Sequence, residues 1–150
     1  MTKFFFYLSQ NWQKDLLLFL EKSYRSRQRV VVQCGSEEMR DVLNEYLWTW
    51  KADSFLPHGV DVGEEGVCSS IQPILLTISS DNANLATVRF FVDNAICRNE
   101  DIDLYNKLVF IMDSHSQESL RLARKSWQYL KNQGYKLAFK DISQTELGLL

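Results

Sequence analysis

His58 and His115 are the only histidines in the chain, and the second stands in Asp113-Ser114-His115-Ser116, where a carboxylate, two hydroxyls and an imidazole follow one another. These are the groups of a nucleophilic hydrolase. Neighbours in sequence, however, seldom face each other as nucleophile and base must, and no G-x-S-x-G elbow accompanies them. The plainer reading is a helix cap by Ser114 or Ser116 with His115 in solvent. Cys34-Gly35-Ser36 is a second candidate for chemistry, because a cysteine before a helix N-terminus can have a lowered thiol pKa. A buried structural cysteine is the ordinary alternative. Gly35 alone reads as turn geometry, since neither G-x-G-x-x-G nor a P-loop occurs here or at Ser9-Gln10-Asn11. Cys34, Cys68 and Cys97 are widely spaced without a C-x-x-C pair. Neither a disulfide framework nor a zinc cluster is expected, no other cofactor is called for, and the pattern fits a reducing cytoplasm.

Two other constellations suit recognition better than catalysis. On a helix over residues 117–133, about 3.6 residues per turn put Leu122, Ala123, Ser126, Tyr129, Leu130 and Gln133 on one face, the natural core side. Trp127 falls at its edge, with Leu120, Arg124 and Lys131 beside it and Arg121 and Lys125 farther round. An aromatic surface within reach of cations suits an acidic peptide ending in aromatic or aliphatic residues, because charge pairing and an apolar pocket act together. The other reading is a tucked Trp127 above a solvated basic face. The second constellation runs from Leu47 to Gly59. Trp50 continues an apolar helix stripe of Met39, Val42, Leu43 and Tyr46, whereas Trp48 lands on the opposite side, near Phe55 and Leu56. Exposed aromatics of this kind mark partner surfaces; burial of all of them beneath a long loop is the alternative.

The elements that must position these residues alternate. Lys3 to Leu8 reads as a strand, and Asn11 caps a helix to about Ser26 with Leu16, Phe19, Leu20 and Tyr24 at helical spacing. Arg29 to Cys34 is a second strand, Val-rich enough to be buried on both faces, and Ser36-Glu37-Glu38 opens a second helix with acids that suit its dipole. Lys51 to Gln72 reads as a loop with a short strand near Ser54 to Leu56. Strands follow at Pro73 to Ser79 and Thr87 to Asp93, a polar connection at Asn94 to Asp103, and a strand at Lys107 to Met112. A helix over Gln117 to Gln133 is stopped by Gly134, and Tyr135 to Phe139 closes the chain before a tail, Asp141 to Leu150, expected to be loosely held. Alternating strands and helices with short connections imply the α/β class, a mostly parallel sheet covered by helices.

Size and charge set the bounds. At 150 residues and 45% hydrophobic, the chain suits a single domain, 1–150, with one buried core. Apolar runs such as Leu16 to Leu20 are far too short to cross a bilayer, and Ser9-Gln10-Asn11 ends the apolar start without a cleavage pattern, so no membrane partner is expected. A net charge of −2 argues against general affinity for nucleic acid.

Leu47-Trp48 followed by Ser54-Phe55-Leu56-Pro57-His58 resembles the L-W…S-F-x-P-H signature of the DNA polymerase III chi subunit family. Phe6-Tyr7-Leu8, Arg29-Val30-Val31-Val32, Pro73-Ile74-Leu75-Leu76 and the stretch from Leu122-Ala123-Arg124 through Trp127 to Gly134-Tyr135 are similar to other family segments in the same order. The resemblance covers nearly the whole chain. It implies a single Rossmann-like domain without a catalytic site, an accessory subunit in bacterial DNA replication. The resemblance further implies pairing with the psi subunit, and through it the clamp loader, and a grip on the C-terminal tail of the single-stranded DNA-binding protein.

By the same resemblance, Trp48 and Phe55, with Leu56, Pro57 and His58 alongside, face psi or, in some bacteria, a helicase-like partner. Arg124, Trp127 in place of a more familiar Tyr, and an apolar residue at Ile111 hold the tail, with Leu120, Arg121 and Lys131 around them. One departure matters: the family has a Lys one helical turn before Arg124, where this chain has Leu120 with Arg121 adjacent. Asn94 to Ser116 also differs from better-known relatives. The implied tail is acidic and ends in a Pro-Phe carboxylate, so Arg124 and a neighbouring cation pair with the carboxylate while Trp127 lines the Phe pocket. The competing class is a small nucleotide-binding or hydrolytic enzyme working near Gly35 or Ser114-His115. A direct binder of single strands is a third, which a steep salt slope would reveal.

Overall fold

The computed structural model describes residues 2–50, 56–61 and 72–142. Seven strands form one sheet: β1 (Lys3–Ser9), β2 (Val30–Gln33), β3 (Gly59–Val60), β4 (Ile74–Thr77), β5 (Val88–Phe91), β6 (Lys107–Asp113) and β7 (Leu137–Asp141). Their order is β3-β4-β2-β5-β6-β1-β7, and every pairing is parallel. Among the described residues, three α-helices cover it: α1 (Trp12–Arg25), α2 (Glu37–Thr49) and α3 (Gln117–Asn132). This is the α/β, Rossmann-like class that the sequence implies.

The strands read as they do because both faces of the sheet are covered. β2 and β4 carry Val30-Val31-Val32 and Ile74-Leu75-Leu76, buried throughout, as a parallel sheet between helical layers requires. On one face, Leu16, Leu17 and Leu20 of α1 and Leu43 and Leu47 of α2 pack with Val30, Val32, Ile74, Leu76, Phe90, Val109 and Ile111. On the other, Phe4, Phe6, Phe91, Phe110 and Met112 pack with Leu130 of α3. Phe110 stacks between Phe6 and Phe91, centroids 4.5 and 4.7 Å away. Each such side chain contributes about 1.5–3 kcal/mol by burial.

Helix ends follow local chemistry. Asn11, Ser36 and Ser116 each accept a backbone N–H from the first turn of α1, α2 and α3. α3 ends where Gly134 takes φ +87°; its N–H donates to the Lys131 carbonyl and that of Tyr135 to Leu130, the paired bonds of a Schellman stop.

Several elements differ from the sequence reading. The short strand after α2 lies at Gly59–Val60; Leu56 is outside it, and Ser54 and Phe55 lie outside the described residues, as does Cys68. Asn94 to Asp103 contains a 3-10 turn, Asn99–Leu104, tied down because Thr2 Oγ1 donates to the carbonyls of Ile102 and Tyr105. The closing strand is shifted to Leu137–Asp141, since the Schellman stop uses Tyr135 to turn the chain. Asp141 therefore belongs to β7, and Ile142 is buried with its N–H on the Leu8 carbonyl; residues 143–150 lie outside the described residues.

Candidate functional site

Open α/β sheets bind ligands at the C-terminal ends of their strands, so that end comes first. Gly35 follows β2, and Ser36 caps α2. The position an anion would take there is held by the chain itself: Ser36 Oγ donates to Asp93 Oδ2 at 2.8 Å. A Cβ on Gly35 would meet the Asp93 carbonyl at 1.8 Å, so the glycine serves this close approach. Asp93 and Asn94 both take left-handed φ, 54° and 62°, which bends the chain back toward α2. The crevice that remains, about 170 Å³, carries the carboxylates of Asp93 and Asp113, the wrong charge for a phosphate. Cys34 is buried, and desolvation first, then Asp93, pushes its thiol up to about 12. That overturns the thiolate reading, because the helix terminus acts on a thiol already withdrawn from water.

The Ser114-His115 cluster is likewise capping chemistry. Ser116 accepts the N–H of Ser119 at 3.1 Å, and Asp113 Oδ1 accepts the His115 N–H at 2.9 Å. The exposed His115 ring makes no hydrogen bond to either serine. Among the described residues, no group of three His, Cys, Asp or Glu is placed to hold a metal. Arg89 is a buried cation, but its guanidinium is fully engaged by Gln33 Oε1, the carbonyls of Ser79 and Asp81, and Tyr105 Oη, which leaves no donor for a ligand.

α3 presents two flanks. Toward β5, Leu122, Ser126 and Tyr129 line an open cavity of about 260 Å³ with Phe91, Ile96 and Phe110, and Asn99 Nδ2, also on its lining, donates to Tyr129 Oη at 2.7 Å. Tyr129 is 44% exposed, and Gln133 is exposed too. Neither is a core residue, contrary to the wheel, because the face that meets the sheet is centred on Ala123, Trp127 and Leu130. Toward β7, Leu120, Arg124, Trp127 and Lys131 lie within about 60° of one another at about 100° per residue. Trp127 is half-buried, its ring edge-on to Phe6 at 5.2 Å. Its two sequence readings are therefore both partly right: it packs on the sheet and still borders solvent.

The cations beside Trp127 are not equivalent. Arg121 is held by Glu118 through two bonds of 3.0 and 2.6 Å. That hydrogen bond, ahead of its charge, keeps the Glu118 carboxyl below its ordinary range. Arg124 and Lys131 are exposed and ion-paired with no described residue. Ile111 is not brought to this flank: it points into the α1 and α2 side of the core, across the sheet from Trp127. Alternation along β6 is the reason, since its neighbours Phe110 and Met112 take the α3 side. The apolar neighbour on the Trp127 face is Phe139 of β7, 56% exposed and in register with Phe6. Sequence reasoning missed it; the signal was the alternation Leu137, Phe139 on a last strand.

The second surface is built on α2. Trp48 is 55% exposed, on the side away from Leu43 and Leu47. Its ring leans on His58, centroids 4.8 Å apart. His58 is itself buried, Nδ1 donating to the Leu56 carbonyl at 2.7 Å and Nε2 lying 3.0 Å from Asn44 Oδ1. Leu56 belongs to the core and Pro57 is half-buried. Val42, placed on the core stripe by sequence, is 49% exposed, because Leu43 and Leu47 carry the contact.

With this geometry in place, comparisons with known proteins identify the family. The chain is 27% identical over 120 residues, 75% of its length and 71% of the relative's, to a probable DNA polymerase III subunit chi of Rickettsia prowazekii (strain Madrid E). The protein-family model described as DNA polymerase III chi subunit, HolC, matches residues 1–138, and with nearly the whole chain so covered, this protein belongs to the DNA polymerase III chi subunit family.

Proposed function

We propose that this accessory subunit is a non-catalytic cytoplasmic adaptor, joined to the clamp loader through psi and holding the C-terminal tail of the single-stranded DNA-binding protein. The observation that carries the reading is Arg124: an exposed guanidinium, ion-paired with no described residue, one helical turn from a half-buried Trp127. Arg124 pairs with the terminal carboxylate of the tail, and its Phe enters between Trp127 and Phe139. Lys131 meets the acidic residues upstream. Leu120 stands where the family has Lys, and Arg121 is engaged with Glu118, so the grip here is weaker by about one charge-assisted bond, on the order of 1.5–3 kcal/mol.

Psi is assigned to the Trp48 corner, where an exposed indole rests on a buried His58 and Phe55 follows in the chain. The adaptor contacts no DNA itself; tethering raises the local concentration of polymerase at coated template. Fluorescence titration with an acidic peptide ending in Pro-Phe tests the tail site. Saturable binding, lost when the last Phe is removed, is the expected result. Equal affinity for the truncated peptide would overturn the assignment.

A further inference from the structure

Among the described residues the sheet ends at β7 on one side, and its pairing with β1 fixes where its backbone groups point. The Phe4 N–H donates to the Lys136 carbonyl and the Ile142 N–H to the Leu8 carbonyl. In a pleated strand both polar groups of a residue leave on one side and alternate along the chain. Lys136, Ala138, Lys140 and Ile142 therefore turn theirs to β1, while Leu137, Phe139 and Asp141 turn theirs to the open edge. Side chains alternate as well. Leu137 and Phe139 share the α3 face with Phe4 and Phe6, where Arg124 and Lys131 stand, and Lys136 and Lys140 lie on the opposite face.

All four cations are exposed and ion-paired with no described residue, in a chain of net charge −2. Asp141, at the C-terminal end of β7, is the one acid on this strand; the cations on both faces of the rest of the edge repel copies of themselves and match an extended acidic segment. In such a segment, side chains of one parity meet Arg124 and Lys131, and those of the other meet Lys136 and Lys140. We propose that the acidic ligand of the α3 flank binds by strand addition, pairing its backbone with Leu137 and Phe139 as an eighth strand while its terminal apolar residue reaches Trp127. The inference rests on the reading that this flank holds an acidic tail.

Amide hydrogen exchange on the full chain, followed by NMR with and without a saturating acidic Pro-Phe-ended peptide, tests it. The Phe139 amide should slow by about tenfold or more, whereas those of Ala138 and Lys140, already bonded to β1, should change little. A peptide N-methylated at alternate acidic residues should lose about tenfold in affinity in one parity and little in the other. If the peptide binds by anisotropy but Phe139 exchange is unchanged and both methylated peptides bind alike, strand addition is overturned and the tail site stands. If the unmethylated peptide does not bind, the tail reading fails and takes the inference with it.

Discussion

The α3–β7 flank and the Trp48 corner each present a tryptophan, but their surroundings differ. Trp127 is anchored edge-on to Phe6 and ringed by the cations Arg124 and Lys131. Trp48 stands further into solvent on a buried, hydrogen-bonded His58. One surface joins charge to an aromatic wall; the other sets an aromatic ring on a histidine. They also lie toward opposite edges of the sheet, β7 and β3, and six strand spacings of about 4.8 Å set those edges roughly 30 Å apart. Partners of different chemistry can therefore be held at once, which is what the proposed link between clamp loader and coated template needs.

The sharpest way to break this comparison is to cross the variants. Arg124→Ala should weaken the acidic peptide by about 1.5–3 kcal/mol, on the order of ten- to hundredfold, and leave binding at the Trp48 corner unchanged; Trp48→Ala should do the reverse. Calorimetry on both variants decides it, and loss of both activities in either variant would mean one shared surface.

A second test reaches beneath Trp48. His58→Ala removes a buried ring and leaves the Leu56 carbonyl without its donor, so unfolding stability in urea should fall by about 1–3 kcal/mol. Trp48→Ala, which removes a ring 55% exposed, should cost less than that.

Salt separates the two surfaces more gently. Raising ionic strength from about 0.05 to 0.3 M shortens the Debye length from about 14 to 6 Å, and peptide affinity at the α3 flank should fall severalfold while the Trp48 corner is little affected.

Between these regions the cysteines among the described residues, Cys34 and Cys97, are both at least partly withdrawn from water. Cys34 and Cys97 have thiols pushed up to about 12, chiefly by burial, from an ordinary 9.0. The folded state holds these protons more tightly than the unfolded one, so their contribution is full below pH 9 and falls as pH rises toward 12. Alkylation near pH 8, read residue by residue by mass spectrometry, should spare Cys34 in the native protein.

Fold class was legible because it rests on patterns that tertiary contacts reinforce. Val30-Val31-Val32 can only be a strand buried on both faces, and Asn11, Ser36, Ser116 and Gly134 mark helix ends by local hydrogen bonds. What failed needed three dimensions. A helical wheel could not tell that the sheet meets α3 through Ala123, Trp127 and Leu130, nor that the Asn99 side chain reaches Tyr129. Ile111 was placed by its nearness to a strand end, whereas a one-residue parity puts it on the far face. Phe139 escaped notice because exposure on an edge strand depends on which strand lies last, and strand order is not written locally.

The most direct test of two separate surfaces is a calorimetric titration of the acidic Pro-Phe-ended peptide into the chain alone and into the chain saturated with the proposed partner, a psi subunit. The account predicts the same dissociation constant within about twofold, a coupling free energy near zero, and a complex holding one copy of each. Displacement of psi by the peptide, or a peptide affinity that collapses when psi is bound, would contradict it.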